Sequence, residues 1–153
     1  MTTLQQQFTA IFPDLPFQLD FPMAPKTYFK VGGPAELFLE SADRQQIISL
    51  VEYCQNQHLP LTILGGGSNV IISDEGIRGL VLKLTNEEFV VTEKTADRAR
   101  VRAGAGLKTA LLVRRTVDAG LTGLEYFLGV PGHLGGAIYN NAHYLKDLIS
   151  QHV

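Results

Sequence analysis

The chain has 153 residues, 45% of them hydrophobic, and its thirteen basic and fifteen acidic side chains give a net charge of −2. This length and composition predict one compact domain with a substantial core. The balanced charge, without a basic stripe, predicts binding neither to nucleic acid nor to an anionic membrane surface. No apolar run approaches the ~18 residues of a membrane span. With a single cysteine and no basic segment at the start of the chain, we expect a cytoplasmic location.

The first half of the chain combines a proline-rich start with a β-α-β pattern. Four of the seven prolines fall within residues 1–26, which predicts an irregular N-terminal arm. Apolar periodicity then predicts a strand over 35–40, a helix over 43–58 and a strand over 61–64. Cys54 lies on the apolar face of that helix, so we expect a small buried hydrophobe rather than a reactive thiol.

A glycine loop, Gly65-Gly66-Gly67-Ser68-Asn69, follows the strand at 61–64 directly. Consecutive glycines can adopt positive φ and approach a ligand closely, and the amides that follow can converge on an anion. The loop is not a G-x-G-x-x-G fingerprint, because Val70 replaces the last glycine, and no Gly-Lys-Ser/Thr follows it. Taken alone, the loop could equally be a tight turn between two strands.

The second half, from about residue 85, begins with two predicted strands, over 89–94 and 98–103, and a helix over 107–119 that ends at Gly120. The turn residues Asp74-Glu75-Gly76 precede it between two apolar runs. We expect the helix to bury one apolar face, which consists of Leu107, Ala110, Leu111, Val113 and Val117.

A second glycine-rich segment, 129–142, contains four glycines and Pro131 among Val, Leu, Ile and Tyr. Disordered linkers have polar and charged neighbours instead, so this segment should be ordered. Gly135-Gly136-Ala137 at the start of a short helix would offer free N–H groups to a pyrophosphate. Close packing of this backbone against a sheet is the alternative.

Together these segments resemble the UDP-N-acetylenolpyruvoylglucosamine reductase family, in its N-terminal FAD-binding part of the PCMH type. The resemblance covers nearly all of 27–142, and its motifs occur in the family's order at 27–35, 64–69, 73–79, 103–106, 120–125 and 130–142. Lys30 stands where the family more usually has arginine. After Ala142 the chain continues with His143, where many members have further small residues.

The resemblance implies an α+β, two-subdomain FAD-binding domain over 27–153. It comprises a β-α-β subdomain at about 27–85 and a mixed-sheet subdomain at about 86–153, which close on one flavin. It also places the substrate-binding domain and the catalytic residues beyond Val153, so no catalytic residue is assigned within this chain. A metal site is not expected, because His133 and His143 lack further ligands at a suitable spacing.

The cofactor implied by the resemblance is FAD, bound non-covalently, with NADPH as the reductant and a UDP-sugar, UDP-N-acetylglucosamine enolpyruvate, as the substrate of the missing domain. The glycine loop would hold the pyrophosphate, residues 103–106 would line the adenine or ribose, and residues 131–137 would press against the flavin. The cofactor-binding residues implied in this way are Leu64, Gly65, Gly66, Gly67, Ser68, Asn69, Ala103, Gly104, Ala105, Gly106, Pro131, Gly132, Gly135, Gly136 and Ala137, with Tyr28 and Lys30 at the cofactor edge.

Two other functions remain open on the residues. One is the FAD domain of another flavin-dependent sugar or hydroxy-acid oxidase. Such oxidases often attach the flavin to a His or Cys, and the glycine loop contains neither. The other is a non-catalytic flavin-binding module.

Overall fold

An N-terminal helix precedes the first strand. In the computed structural model, which describes Met1–Val153, helix α1 (Thr3–Ile11) begins at a capping box. Gln5 N–H donates to Thr2 Oγ1 at 3.2 Å, and Thr2 N–H donates to Gln5 Oε1 at 2.8 Å. Phe8, on the same helix, is fully buried. The prediction of an irregular arm over 1–26 is therefore wrong, because the capped helix precedes the prolines and buries an apolar side chain.

The first of two compact units, Met1–Leu84, contains a four-stranded sheet. Its strands are β1 (Gln18–Pro22), β2 (Pro34–Ser41), β3 (Leu61–Leu64) and β4 (Ile77–Leu84), in the order β1-β2-β4-β3. Strand β1 is antiparallel to β2, whereas β2, β4 and β3 are mutually parallel. Helix α2 (Arg44–Asn56) connects β2 to β3, and Asp43 caps it. The predicted β-α-β segment is confirmed.

Both faces of this sheet are apolar, as expected where parallel strands are covered on two sides. One face packs with α1 and α2 in a core of Phe8, Leu37, Leu39, Leu50, Cys54, Leu80 and Leu82. The other face belongs to a core of Met23, Ala35, Phe38, Leu64, Ile72 and Val81. Cys54 is 1% exposed, and burial raises the pKa of its thiol. The prediction that Cys54 is a buried hydrophobe is confirmed.

The second unit, Thr85–Val153, combines short β-pairs with helices. Its elements are β5 (Phe89–Lys94), β6 (Ala99–Ala103), α3 (Thr109–Asp118), α4 (Leu134–Tyr139), β7 (His143–Tyr144) and β8 (Asp147–Leu148), with 3₁₀ turns at Glu125–Gly129 and Ile149–Gln151. Its core consists of Leu107, Leu112, Val113, Phe127, Leu134, Ala137 and Ile149. No helix of either unit combines the length and the apolarity needed to cross a bilayer.

The α+β class is confirmed, but the mixed sheet lies in the first unit and not in the second. In the second unit, β5 pairs antiparallel with β6 and β7 pairs antiparallel with β8. A parallel pair would need a strand that returns after a helix. The chain after α3 instead forms 3₁₀ turns, the short helix α4 and the β7–β8 hairpin.

The buried face of α3 also differs from the prediction. Val117 is 51% exposed, whereas Thr109 and Thr116 are buried. Thr116 Oγ1 donates to the carbonyl oxygen of Val113 at 2.7 Å, and Thr109 Oγ1 donates to that of Gly132 at 3.4 Å. Because both hydroxyls have acceptors, threonine can replace the apolar residues that the periodicity favoured. Gly120 ends the helix with φ +67°, as predicted.

Candidate functional site

The glycine loop leaves the first unit's sheet at the end of β3, where its three parallel strands have their carboxyl ends. This is the edge at which open α/β sheets bind ligands. Leu64, the last strand residue, is 4% exposed and anchors the loop in the core. Gly66 and Asn69 are exposed, whereas Gly67 is buried.

Gly67 is required by the fold. Its φ is +66°, and a Cβ there would collide with the carbonyl oxygen of Lys26. Its own carbonyl oxygen accepts a hydrogen bond from Tyr28 N–H at 2.9 Å. Gly66, in contrast, has no positive φ and is exposed.

The backbone amides of this loop are available to an anion. The N–H groups of Gly66, Gly67 and Asn69 donate to no backbone acceptor of the first unit. Unpaired amides in an irregular turn with one left-handed residue form a concave anion site of the kind that binds phosphate. That a pyrophosphate binds at this loop stays a prediction.

The structure places Tyr28 beside the glycine loop, through its N–H bond to Gly67, on a turn that is held by Thr27 and also contains Lys30. Thr27 Oγ1 donates to the carbonyl oxygen of Val31 at 2.9 Å. The Tyr28 side chain is 68% exposed. Lys30 has φ +58°, and its Nζ donates to the carbonyl oxygen of Pro25 at 3.3 Å. Sequence reasoning missed Lys26, whose carbonyl oxygen fits against Gly67, because no motif marks that contact.

In the second unit, the structure joins the two predicted segments 103–106 and 131–137. Gly135 N–H donates to the carbonyl oxygen of Ala105 at 2.9 Å, and Thr109 N–H donates to that of Gly132 at 3.1 Å. A Cβ at Gly135 would lie 2.9 Å from the Ala105 Cβ. The two segments therefore form one backbone-bonded surface, with Gly106 buried beneath it and Pro131 exposed.

The start of α4 offers fewer free N–H groups than the sequence predicts. The N–H groups of Gly135 and Ala137 are already bonded to the carbonyl oxygens of Ala105 and His133. In the predicted Gly135-Gly136-Ala137 set, the N–H of Gly136 alone has no acceptor in the protein. Gly136 is exposed, and a Cβ added there would meet nothing within 4 Å. Gly136 is thus the residue of this set that has both an exposed backbone and an unpaired N–H group.

Gly104 is a packing glycine. A Cβ at this position would collide with the Asn86 side chain, and Gly104 N–H donates to the carbonyl oxygen of Glu88 at 3.0 Å. The close-packing alternative for 129–142 therefore describes Gly135, whereas a Cβ at Gly136 would meet nothing within 4 Å.

A cavity of about 990 Å³ in the second unit is not lined by these glycines. It lies against β5, β6 and α3, and of the predicted site residues only Ala103 lines it. This cavity lies on the uncovered side of the β5–β6 sheet and does not coincide with the predicted ligand site. The structure groups no three His, Cys, Asp or Glu side chains that could hold a metal ion.

The fold and the glycine loop define an α+β nucleotide-cofactor protein. The chain matches the model of the FAD binding domain family over residues 35–151 and belongs to that family. The family's cofactor is FAD, and the residues fit it, because the glycine loop offers three unpaired amides and Gly136 an open backbone.

The curated relatives share the name that the resemblance predicted. A UDP-N-acetylenolpyruvoylglucosamine reductase of Anaeromyxobacter sp. is 42% identical over 135 residues, which cover 86% of this chain and 42% of that protein. One from Listeria monocytogenes is 37% identical over 142 residues, covering 93% and 45%. The predicted family is confirmed, and the chain spans less than half the length of these relatives.

Solved structures agree with this result. The crystal structure of UDP-N-acetylenolpyruvylglucosamine reductase from Thermus caldophilus superimposes with a TM-score of 0.63 at 29% identity, covering 89% of this chain and 45% of that one. Cholesterol oxidase from Brevibacterium sterolicum gives a TM-score of 0.64 at 15% identity, covering 86% and 25%. At that identity the likeness to the oxidase shows a shared fold alone.

Proposed function

We propose that this chain is the FAD-binding portion of an NADPH-dependent reductase that converts UDP-N-acetylglucosamine enolpyruvate to UDP-N-acetylmuramate for peptidoglycan synthesis. The observation that carries the proposal is the set of unpaired amides at Gly66, Gly67 and Asn69, at the carboxyl edge of a parallel sheet. The names of the relatives supply the reaction. A cytoplasmic location for this enzyme is part of the proposal.

Each unit has its own role in binding the cofactor. In the first unit, the glycine loop would hold the pyrophosphate, Ser68 and Asn69 would donate side-chain hydrogen bonds, and Tyr28 and Lys30 would contact the cofactor edge. In the second unit, residues 103–106 would line the adenine or ribose. The open backbone at Gly136, within 131–137, would approach the flavin ring.

Bound FAD supplies hydride transfer, so the protein's task is to bind and orient it. We assign the UDP-sugar, the proton donor and the other catalytic groups to parts of the longer reductase outside this chain. The binding is non-covalent, since the glycine loop has no His or Cys and Cys54 is buried in the core.

An FAD titration of the 153-residue chain tests the proposal. Saturable binding at micromolar FAD, with a resolved flavin absorbance band and release of the flavin by acid or heat, is the expected result. A folded chain that leaves the flavin spectrum unchanged would contradict it. Flavin that stays attached after denaturation would instead favour the covalent oxidases.

A matched pair of variants locates the binding. Gly66→Val places a side chain over the unpaired amides at an exposed position without positive φ, so it should abolish FAD binding and leave the fold intact. Gly129→Val is the control, because Gly129 is also exposed and a Cβ there meets nothing within 4 Å. Equal FAD affinity in both variants would show that the glycine loop does not bind the cofactor.

A further inference from the structure

Three charged side chains of the first unit form a cluster, Lys26–Glu40–Lys83. Glu40 Oε1 accepts hydrogen bonds from Lys26 Nζ and from Lys83 Nζ, each at 2.8 Å. Lys26 Nζ also lies 5.5 Å from the ring centroids of Phe21 and Phe38. The side chains of Lys26 and Lys83 are only 27% and 18% exposed, so the cluster is held in a partly buried position.

This cluster adjoins the origin of the glycine loop. Lys83 is the cross-strand partner of both Glu40 and Leu64, and the loop begins at the residue after Leu64. Neighbouring strands are about 4.8 Å apart, so the lysine lies within one strand spacing of the loop's origin. Lys26 is also beside the loop, because its carbonyl oxygen fills the space next to Gly67.

The cluster carries excess positive charge. Burial disfavours the ionised form of Glu40, but hydrogen bonds from Lys26 and Lys83 outweigh this effect and hold its pKa below the ordinary value of 4.5. At neutral pH two ammonium groups therefore face one carboxylate. One lysine would suffice to neutralise Glu40, which leaves one positive charge near the origin of the glycine loop.

We propose that the Lys26–Glu40–Lys83 cluster makes the glycine loop selective for a flavin that carries a diphosphate, so that it favours FAD over riboflavin. This inference rests on the proposed FAD-binding function. A positive charge at the edge of an anion site attracts the pyrophosphate but has no charge to act on in riboflavin. Glu40 sets the strength of the effect by cancelling part of the lysines' charge.

The experiment compares FAD and riboflavin titrations of the chain and three variants. Lys83→Met keeps the length of the apolar stem and removes the charge. Glu40→Gln removes the negative charge and leaves both lysines. Arg78→Gln is the control for a lost cation, since Arg78 lies near the start of β4 and is about 16 Å from Lys83 along the strand, at roughly 3.3 Å per residue.

If the cluster acts through its charge, Lys83→Met and Glu40→Gln should shift the FAD affinity in opposite directions. Lys83→Met should weaken FAD binding and Glu40→Gln should tighten it, each by about two- to fivefold, as expected for a partly exposed charge. Both shifts should shrink at high salt, and the riboflavin affinity should stay unchanged. Arg78→Gln should alter neither affinity. Thermal unfolding of each variant checks that the fold is retained.

Two results overturn the inference. If Lys83→Met and Glu40→Gln both weaken FAD and riboflavin binding alike, the cluster has only a structural role. If FAD binds and its preference over riboflavin is the same in all variants, the charge does not set the selectivity, although the proposed function stands. A wild-type chain that binds no FAD would overturn the proposed function and this inference together.

Discussion

The backbone N–H of Gly135 donates to the carbonyl oxygen of Ala105 at 2.9 Å and thereby joins two glycine-bearing segments distant in sequence. A second hydrogen bond joins the same region, because Leu134 N–H donates to the carbonyl oxygen of Leu107 at 2.8 Å. The second unit's part of the candidate site is therefore positioned by backbone hydrogen bonds within the protein. Neighbouring glycines should consequently have separable roles.

Gly135 and Gly136 provide the first prediction. Gly135→Ala should lower the free energy of unfolding by about 1–3 kcal/mol, because the new methyl group would crowd Ala105, and overpacking has costs of this size. Gly136→Ala should raise it by roughly 0.5–1 kcal/mol, since alanine favours helix and the position is open. Urea unfolding followed by circular dichroism measures both.

Gly136 should also matter for the cofactor. Gly136→Val should reduce FAD affinity in a folded protein, because its side chain would cover the backbone left open to the ligand. If Gly136→Val retains the wild-type affinity for FAD, the open backbone at α4 is not part of the binding surface.

The second prediction separates two glycines of the loop in the first unit. Gly67→Ala should lower the free energy of unfolding by at least about 1 kcal/mol, since φ is +66° and the Cβ would collide with the Lys26 carbonyl group. Gly66→Ala should leave stability nearly unchanged, because its φ is not positive and it is exposed. Thermal melts of the two variants decide the point, and similar melting temperatures would contradict it.

Local patterns predicted the β-α-β segment well, because each of its signals acts over a few residues. Asp43 Oδ1 accepts the Gln46 N–H at 2.8 Å, a helix start that the sequence marks. The sequence also contains a start signal for helix α1, the Thr2–Gln5 capping box. The prediction of an irregular arm gave more weight to the four prolines than to this signal.

Tertiary contacts set the features that the sequence did not predict. Whether Gly135 has a free N–H depends on Ala105, and whether Gly67 tolerates a side chain depends on Lys26. A glycine motif shows that the backbone can approach something closely, but it does not show whether that neighbour is a ligand or the protein itself. The roles of these glycines therefore required the structure.

The third prediction concerns Cys54. Because burial raises the pKa of its thiol, the native protein should react slowly with a thiol reagent, and urea should accelerate the reaction. Cys54→Ser should lower the free energy of unfolding by about 1–3 kcal/mol through a buried hydroxyl without an assured partner. FAD affinity should stay unchanged. Rapid labelling of the folded protein would contradict this view of the core.

The last prediction follows from Glu36, which ties α1 to the sheet. Gly79 N–H donates to Glu36 Oε2 at 3.0 Å and the Thr2 hydroxyl donates to Oε1 at 2.7 Å. These hydrogen bonds, that of Gly79 first, hold the carboxyl pKa below its ordinary value of 4.5. A carboxyl group with a lowered pKa in the folded state stabilises the protein above its ordinary pKa, and this contribution is lost as the pH falls through the folded-state pKa.

Glu36→Gln should therefore lower the melting temperature near neutral pH, and its difference from the wild type should shrink as the pH is taken below 4.5. Because the carboxyl group is largely open to solvent, the effect should be small. Glu52→Gln, on the exposed side of α2, is the matched control and should show no such convergence. A melting-temperature difference that persists unchanged in acid would mean that the charge of Glu36 does not stabilise the contact between α1 and the sheet.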